Sequence, residues 1–198
     1  NINPEYLEIN FGNECNFKCG YCHPKYSSTF HSEIKKFGPV ETVKNHRCDV
    51  DWMKLFEREE ENPYVDAFWE WWPELRKTLN ILRVTGGEPT MHTSTWKLLK
   101  QIDADPMPWL ELNINSNLGT KTALIERLST SVKKLCDEDK LESFKLFTSL
   151  DTWGPRAEYT RTGLDLELWE KNFHTYLTQT NSPITFMVTF NLFCVTSF

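Results

Sequence analysis

Residues 110–150, LELNINSNLGTKTALIERLSTSVKKLCDEDKLESFKLFTSL, decide the fold. Leu110 to Ser116 reads as a strand, Leu124, Leu128, Val132 and Leu135 fall on one helical stripe, and Phe144 to Leu150 reads as the next strand. The unit repeats in both directions. Upstream, Ile81 to Thr85 is a strand and Ser94 to Ile102 a helix; downstream, Leu166, Trp169, Phe173 and Leu177 form a helical stripe opened by Asp165 as a cap. Ile184 to Phe190 follows as a further strand, and Tyr6 to Phe11 alternates apolar and polar residues like a first one. Parallel strands require crossover connections, and crossovers of one hand repeated in one direction curl a sheet into a barrel, or a fraction of one, with helices outside. The expected class is α/β, with five strands, too few to close.

A long insert, residues 27–80, separates the first two strands. Ser27 to Asp51 is polar, and the charge run Glu57 to Glu61 reads as a solvated helix end or loop. Tyr64, Phe68, Trp71, Trp72 and Leu75 then recur at helical spacing, which predicts the buried face of a helix and not a ligand cage. Pro106 to Pro108 and Asn181 to Pro183 precede strands and read as turn punctuation.

The chain has 198 residues, read as one domain over 1–198. Twenty-two Lys and Arg against 28 Asp and Glu give a net charge of -6, which argues against a nucleic-acid partner. Ile184 to Val195 is too short and too polar to span a bilayer, so no membrane partner is expected. Asn1 opens the chain with no leader behind it, so the sequence is expected to be a segment of a longer polypeptide.

Six cysteines are distributed unevenly. Cys48, Cys136 and Cys194 stand singly and read as small buried hydrophobes. Cys15, Cys19 and Cys22 crowd into CNFKCGYC just past the first strand, near enough to reach one inorganic centre. A zinc site would need a fourth ligand from His23, His31, His46 or Cys48, and a ferredoxin loop supplies four cysteines per 4Fe-4S cluster. Three cysteines would leave one iron of a cubane without a protein ligand, and an open position suggests chemistry. In folds of this kind the working residues sit at the carboxyl ends of strands. That rim carries the cysteine loop, Gly86 to Pro89, Asn115 to Asn117, Ser149 to Asp151 and Asn191.

The spacing of Cys15, Cys19 and Cys22, with Tyr21 just before the third cysteine, resembles the cluster signature of radical S-adenosylmethionine (radical SAM) enzymes. Gly86, Gly87, Glu88 and Pro89 resemble that family's glycine-rich motif at the end of the second strand. Ser149, Leu150 and Asp151, followed by Tyr159 to Gly163, look closest to the branch with a C-terminal SPASM or twitch extension. The resemblance runs from about Tyr6 to Asn191. It implies a partial (β/α)6 TIM-like barrel with three protein ligands, Cys15, Cys19 and Cys22, to a 4Fe-4S cluster, and S-adenosylmethionine on the fourth iron. By the same resemblance the backbone of Gly86 and Gly87 approaches the cofactor's amino group and Glu88 offers a counter-charge. Ser149 and Arg161 contact its carboxylate or ribose, and Asn117, Asp151 and Asn191 are further candidates.

The implied activity is that of an oxidoreductase: reductive cleavage gives a 5'-deoxyadenosyl radical that takes hydrogen from a small molecule or a peptide, with a lean toward peptide. A reductant such as flavodoxin or ferredoxin and a cytoplasmic location would follow, since an exposed cluster needs a reducing compartment. A catalytically degenerate cluster-binding module and a zinc-stabilised binding protein are the alternatives. Cys194 is the sole cysteine after the fifth strand, so no auxiliary cluster can be built from this segment.

Overall fold

A computed structural model describes residues 3–39 and 62–196. In chain order it contains β1 (Tyr6–Asn10), β2 (Lys18–Cys19), α1 (Ser28–Phe37), α2 (Pro63–Leu75), β3 (Ile81–Thr85), α3 (Thr93–Ala104), β4 (Met107–Ser116), α4 (Thr122–Asp137), β5 (Leu141–Ser149), α5 (Pro155–Thr160), β6 (Arg161–Thr162), α6 (Leu166–Gln179) and β7 (Ile184–Met187). Short 3-10 turns cover Pro24–Tyr26 and Pro89–Met91.

Alternation along the strands builds a two-faced sheet. Strands β1, β3, β4, β5 and β7 pair in that order, every pair parallel. The order never reverses, so crossovers of one hand carry the intervening helices to a single face. Leu7, Leu82, Leu112 and Phe144 are in register on that face, as are Ile9, Val84, Ile114, Leu146 and Ile184. Leu82, Val84, Leu112, Ile114 and Leu146 have no exposed surface, and burial of each such side chain stabilises the fold by about 1.5–3 kcal/mol. The opposite face carries the in-register row Glu8, Arg83, Asn113 and Lys145. Because all five strands run the same way, the loops after Asn10, Thr85, Ser116, Ser149 and Met187 gather at one edge.

Several boundaries differ from the expected ones. The polar stretch after Ser27 contains α1: the Ser27 hydroxyl accepts from Phe30 N at 3.1 Å as a cap, and His31 and Ile34 are buried. Strand β4 begins at Met107, so Pro108 lies inside it. A register irregularity between Met107 and Glu111 accommodates the missing proline N–H. Strand β7 stops at Met187, short of Phe190. In α2 the buried stripe is Val65, Phe68, Trp72 and Leu75; Tyr64 and Trp71 lie one step off it and are exposed, the Trp71 indole donating to Asn3 Oδ1 at 3.3 Å. In α6 the stripe is Trp169, Asn172 and Tyr176, which leaves Leu177 exposed, while Asp165 caps the helix by accepting from Leu168 N at 3.0 Å. His46, Cys48 and Glu57 to Glu61 lie outside the described residues. Among the described residues, no helix is long and apolar enough to cross a membrane.

Candidate functional site

The cysteine loop is held from three sides. After β1 the chain turns back through β2, whose two residues pair antiparallel with β6, Lys18 with Thr162 and Cys19 with Arg161. Gly20 N donates to Thr160 O at 2.9 Å and extends this ribbon. The first turn of α1 grips the other side: Ser28 Oγ accepts from Cys15 N at 3.1 Å, Thr29 Oγ1 donates to Cys15 O at 2.6 Å and Ser27 Oγ donates to Phe17 O at 2.5 Å. The third support is the pair Gly86 and Gly87. Gly87 has φ of +51°, a Cβ there would lie 2.4 Å from Glu14 O, and Glu88 N donates to that same carbonyl at 2.7 Å. The turn after β3 thus presses directly on the backbone of the cysteine loop, and only glycine permits the approach.

Gly87→Ala is therefore expected to destabilise the protein by about 1–3 kcal/mol, from strain and overpacking together. Gly12→Ala serves as comparison. A Cβ at Gly12 would meet His92 at an ordinary 3.7 Å, and a change within about 0.5 kcal/mol is expected there. Chemical denaturation of the two variants measures the difference, and equal midpoints would refute the contact.

Cys15, Cys19 and Cys22 all line one cavity of about 430 Å³, walled also by Tyr21, Gly86, Gly87, Asn117, Ser149 and Arg161. The sequence nominated each of them, and they come from the segments at or beyond the ends of β1, β3, β4 and β5, with Cys19 on β2 and Arg161 on β6. None of the three cysteines is in a disulfide. Burial pushes the Cys15 thiol up to about 12, with the Glu88 carboxylate and the other two cysteines adding to it. Burial also raises Cys19 to about 11, against the pull of the Arg161 guanidinium, whose Nη1 stands 3.9 Å from its sulfur. Cys22 is raised by burial too. At neutral pH the thiols hold their protons, so a metal centre here must displace them.

Four nominated residues, Glu88, Pro89, Asp151 and Asn191, do not line this cavity. Glu88 is fully buried and spends its carboxylate on its own chain. Oε1 accepts from Thr90 N at 3.2 Å, Thr90 Oγ1 at 2.7 Å and Ser116 Oγ at 2.9 Å, and Oε2 from Asn117 N at 2.6 Å. It ties the end of β3 to the end of β4 and so positions Asn117. Burial raises its pKa, against these hydrogen bonds. Pro89 is buried at the start of the 3-10 turn, behind the cavity wall. Asn191 is spent on a turn, its Nδ2 donating to Thr189 O and its Oδ1 accepting from Phe193 N, and does not line the cavity.

Asp151 sits behind the cavity as a hub. It takes Arg161 in a two-pronged ion pair, Nε to Oδ2 at 2.9 Å and Nη2 to Oδ1 at 3.0 Å, and accepts from the Tyr21 hydroxyl and from Thr189 N at 2.8 Å. Burial opposes the charge on Arg161, but Asp151, Tyr21 and Cys19 outweigh it and hold the guanidinium pKa above its usual value. One carboxylate thereby fixes the aromatic residue of the cysteine loop, the arginine beside Cys19 and the segment after β7.

Thr189 also lines the cavity and escaped the sequence reading; His23, weighed there as a fourth zinc ligand, and Asn115, placed there on the rim, line it too. His23 directly follows Cys22, and its Nδ1 accepts from Lys25 N at 3.1 Å as the cap of a 3-10 turn. Among the described residues, no three His, Cys, Asp or Glu side chains converge closely enough to hold one metal ion. The cysteine trio shares a cavity without meeting at a point. A single zinc ion needs its donors at one point, whereas in an iron-sulfur cluster each cysteine binds a different iron. The donor set, three soft sulfurs with an arginine beside one of them, fits the cluster. No protein-family model matches this chain, and no curated protein matches it.

Proposed function

We propose that this chain is the core of a radical SAM enzyme, a partial (β/α)6 TIM-like barrel that holds a 4Fe-4S cluster on Cys15, Cys19 and Cys22 and works in the reducing cytoplasm. One observation carries the reading: three cysteines on a braced loop open onto one cavity together with Gly86, Gly87, Asn117 and Ser149, at the ends of separate parallel strands, and Arg161 of β6. When bound, the cluster supplies the electron for reductive cleavage of S-adenosylmethionine.

The chain's own residues bind and orient. Gly86 and Gly87 leave the wall free of side chains, so that a ligand can reach backbone. The Asn117 amide, held at 2.9 Å from Asn16 Oδ1 and 2.8 Å from Gly119 N, and the hydroxyl-bearing Ser149 offer polar contacts. Arg161 places a fixed positive charge beside Cys19, where thiolate charge develops on metal loading. Phe17 and Tyr26 give the cavity apolar walls that limit water. A substrate carrying a peptide or a small polar group, and a flavodoxin or ferredoxin reductant, complete the proposal.

The test is anaerobic reconstitution with iron and sulfide, followed by S-adenosylmethionine and a strong reductant. Formation of 5'-deoxyadenosine is expected. A loaded cluster without that product would identify a binding module without turnover, and zinc retained through purification in air, with no iron uptake, would overturn the cluster.

A further inference from the structure

On the sheet face away from the buried apolar core, Lys145 and Glu111 form an ion pair, whereas among the described residues Glu8 and Arg83 form none. Lys145 Nζ pairs with Glu111 Oε1 at 3.2 Å, and the same oxygen accepts from Asn113 Nδ2 at 2.8 Å. Glu8 accepts from Thr85 Oγ1 at 3.2 Å and from the Tyr6 hydroxyl at 3.3 Å. Arg83 is half-buried in the same row, in register with Glu8 on one side and Asn113 on the other, yet it turns away from Glu8. Its Nε donates to Asn115 Oδ1 at 3.1 Å, its guanidinium lies 4.2 Å above the Phe147 ring, and Nη2 stands 3.2 Å from the weakly accepting sulfur of Met187. Among the described residues, no carboxylate lies within ion-pair distance of it.

A half-buried guanidinium held by an amide, a ring and a thioether keeps its charge and several N–H donors uncompensated. The stack and the Nε bond also fix its orientation in advance, which lowers the entropy lost when it takes a ligand. Asn115, which holds it, is itself part of the wall of the three-cysteine cavity. We propose that Arg83 is an anchor for an oxyanion group, carboxylate or phosphate, whose carrier reaches from Arg83 into that cavity. That this carrier is the substrate rests on the radical SAM reading; the anion site itself does not.

The experiment uses the chain as purified, without metal loading. The Arg83 Nε–Hε signal in a nitrogen-proton correlation spectrum, assigned by its loss in Arg83→Lys, is followed during titration with inorganic phosphate and separately with acetate. Saturable shifts are expected, and the tighter of the two probes identifies a phosphorylated or a carboxylated ligand. Followed through the backbone amide signals that shift in the parent titration, Arg83→Met, which keeps the length of the stem, should weaken binding roughly tenfold or more, whereas Arg127→Met, whose guanidinium lies on Trp96 between α3 and α4, should not. Absence of a saturable shift with either anion up to the millimolar range, or unchanged binding in Arg83→Met, overturns the proposal. The two readings fail separately: loss of 5'-deoxyadenosine formation leaves anion binding standing, and absent anion binding leaves cofactor cleavage standing.

Discussion

Cys19→Ala is expected to abolish iron binding, whereas Cys136→Ala is expected to leave iron and sulfide content unchanged. The two cysteines differ in company and not in type. Cys19 lies on β2 with its sulfur 3.9 Å from Arg161 and shares a cavity with Cys15 and Cys22; Cys136 sits at the end of α4, away from that cavity. A three-thiol site has no spare donor, so loss of one sulfur removes one iron's attachment and with it the cluster. Truncating Cys136 removes a half-buried sulfur and its contacts with Ser182 and Phe144, neither of which lines the cavity. Iron and sulfide are measured per chain after anaerobic reconstitution, with circular dichroism to verify that both variants fold. Equal iron loss in the two variants would refute the division between clustered and scattered cysteines.

The largest effect on stability is expected at Asp151. Its side chain is fully buried and that of Arg161 only 6% exposed, so the pair is a desolvated one. Removing one partner strands the other charge with little access to water, which costs about 3–5 kcal/mol. Asp151→Ala also deprives the Tyr21 hydroxyl and Thr189 N of their acceptor. Replacing both partners, as in Asp151→Leu with Arg161→Met, leaves no stranded charge and is expected to destabilise less than Asp151→Ala alone. Urea denaturation of the single and double variants measures this. A loss below about 1 kcal/mol in Asp151→Ala would show that the pair does not organise the site. Since Arg161 belongs to β6, which pairs with Cys19 of β2, the single variant is also expected to lower cluster retention at temperatures where the fold survives.

Some of this architecture is legible in local chemistry. Alternation in Ile81 to Thr85 and Leu110 to Ser116 shows strands because it records which side chain meets which face, and the three cysteines mark a loop because they crowd into eight residues just past a strand. The Asp165 cap is legible for the same reason, being a contact with a residue three positions away. The ribbon of β2 and β6 is not legible. Two-residue strands have no period of their own and exist through pairing between positions some 140 residues apart, Cys19 with Arg161. Helix α1 hides in a polar stretch because it buries little more than His31 and Ile34, so its apolar stripe is thin.

The sequence by itself determined that this chain is α/β, that its strands share one rim and that three thiols belong together, because each of these follows from periodicity and short-range reach. Tertiary structure alone decided the partners: Glu88 bonding the backbone of Asn117, Asp151 holding Arg161 beside Cys19, Gly87 pressed against Glu14, Arg83 turned from Glu8 toward Asn115. The physical reason is that a buried charge is assigned its role by whichever dipole or ion lies nearest after folding, and that neighbour comes from another strand.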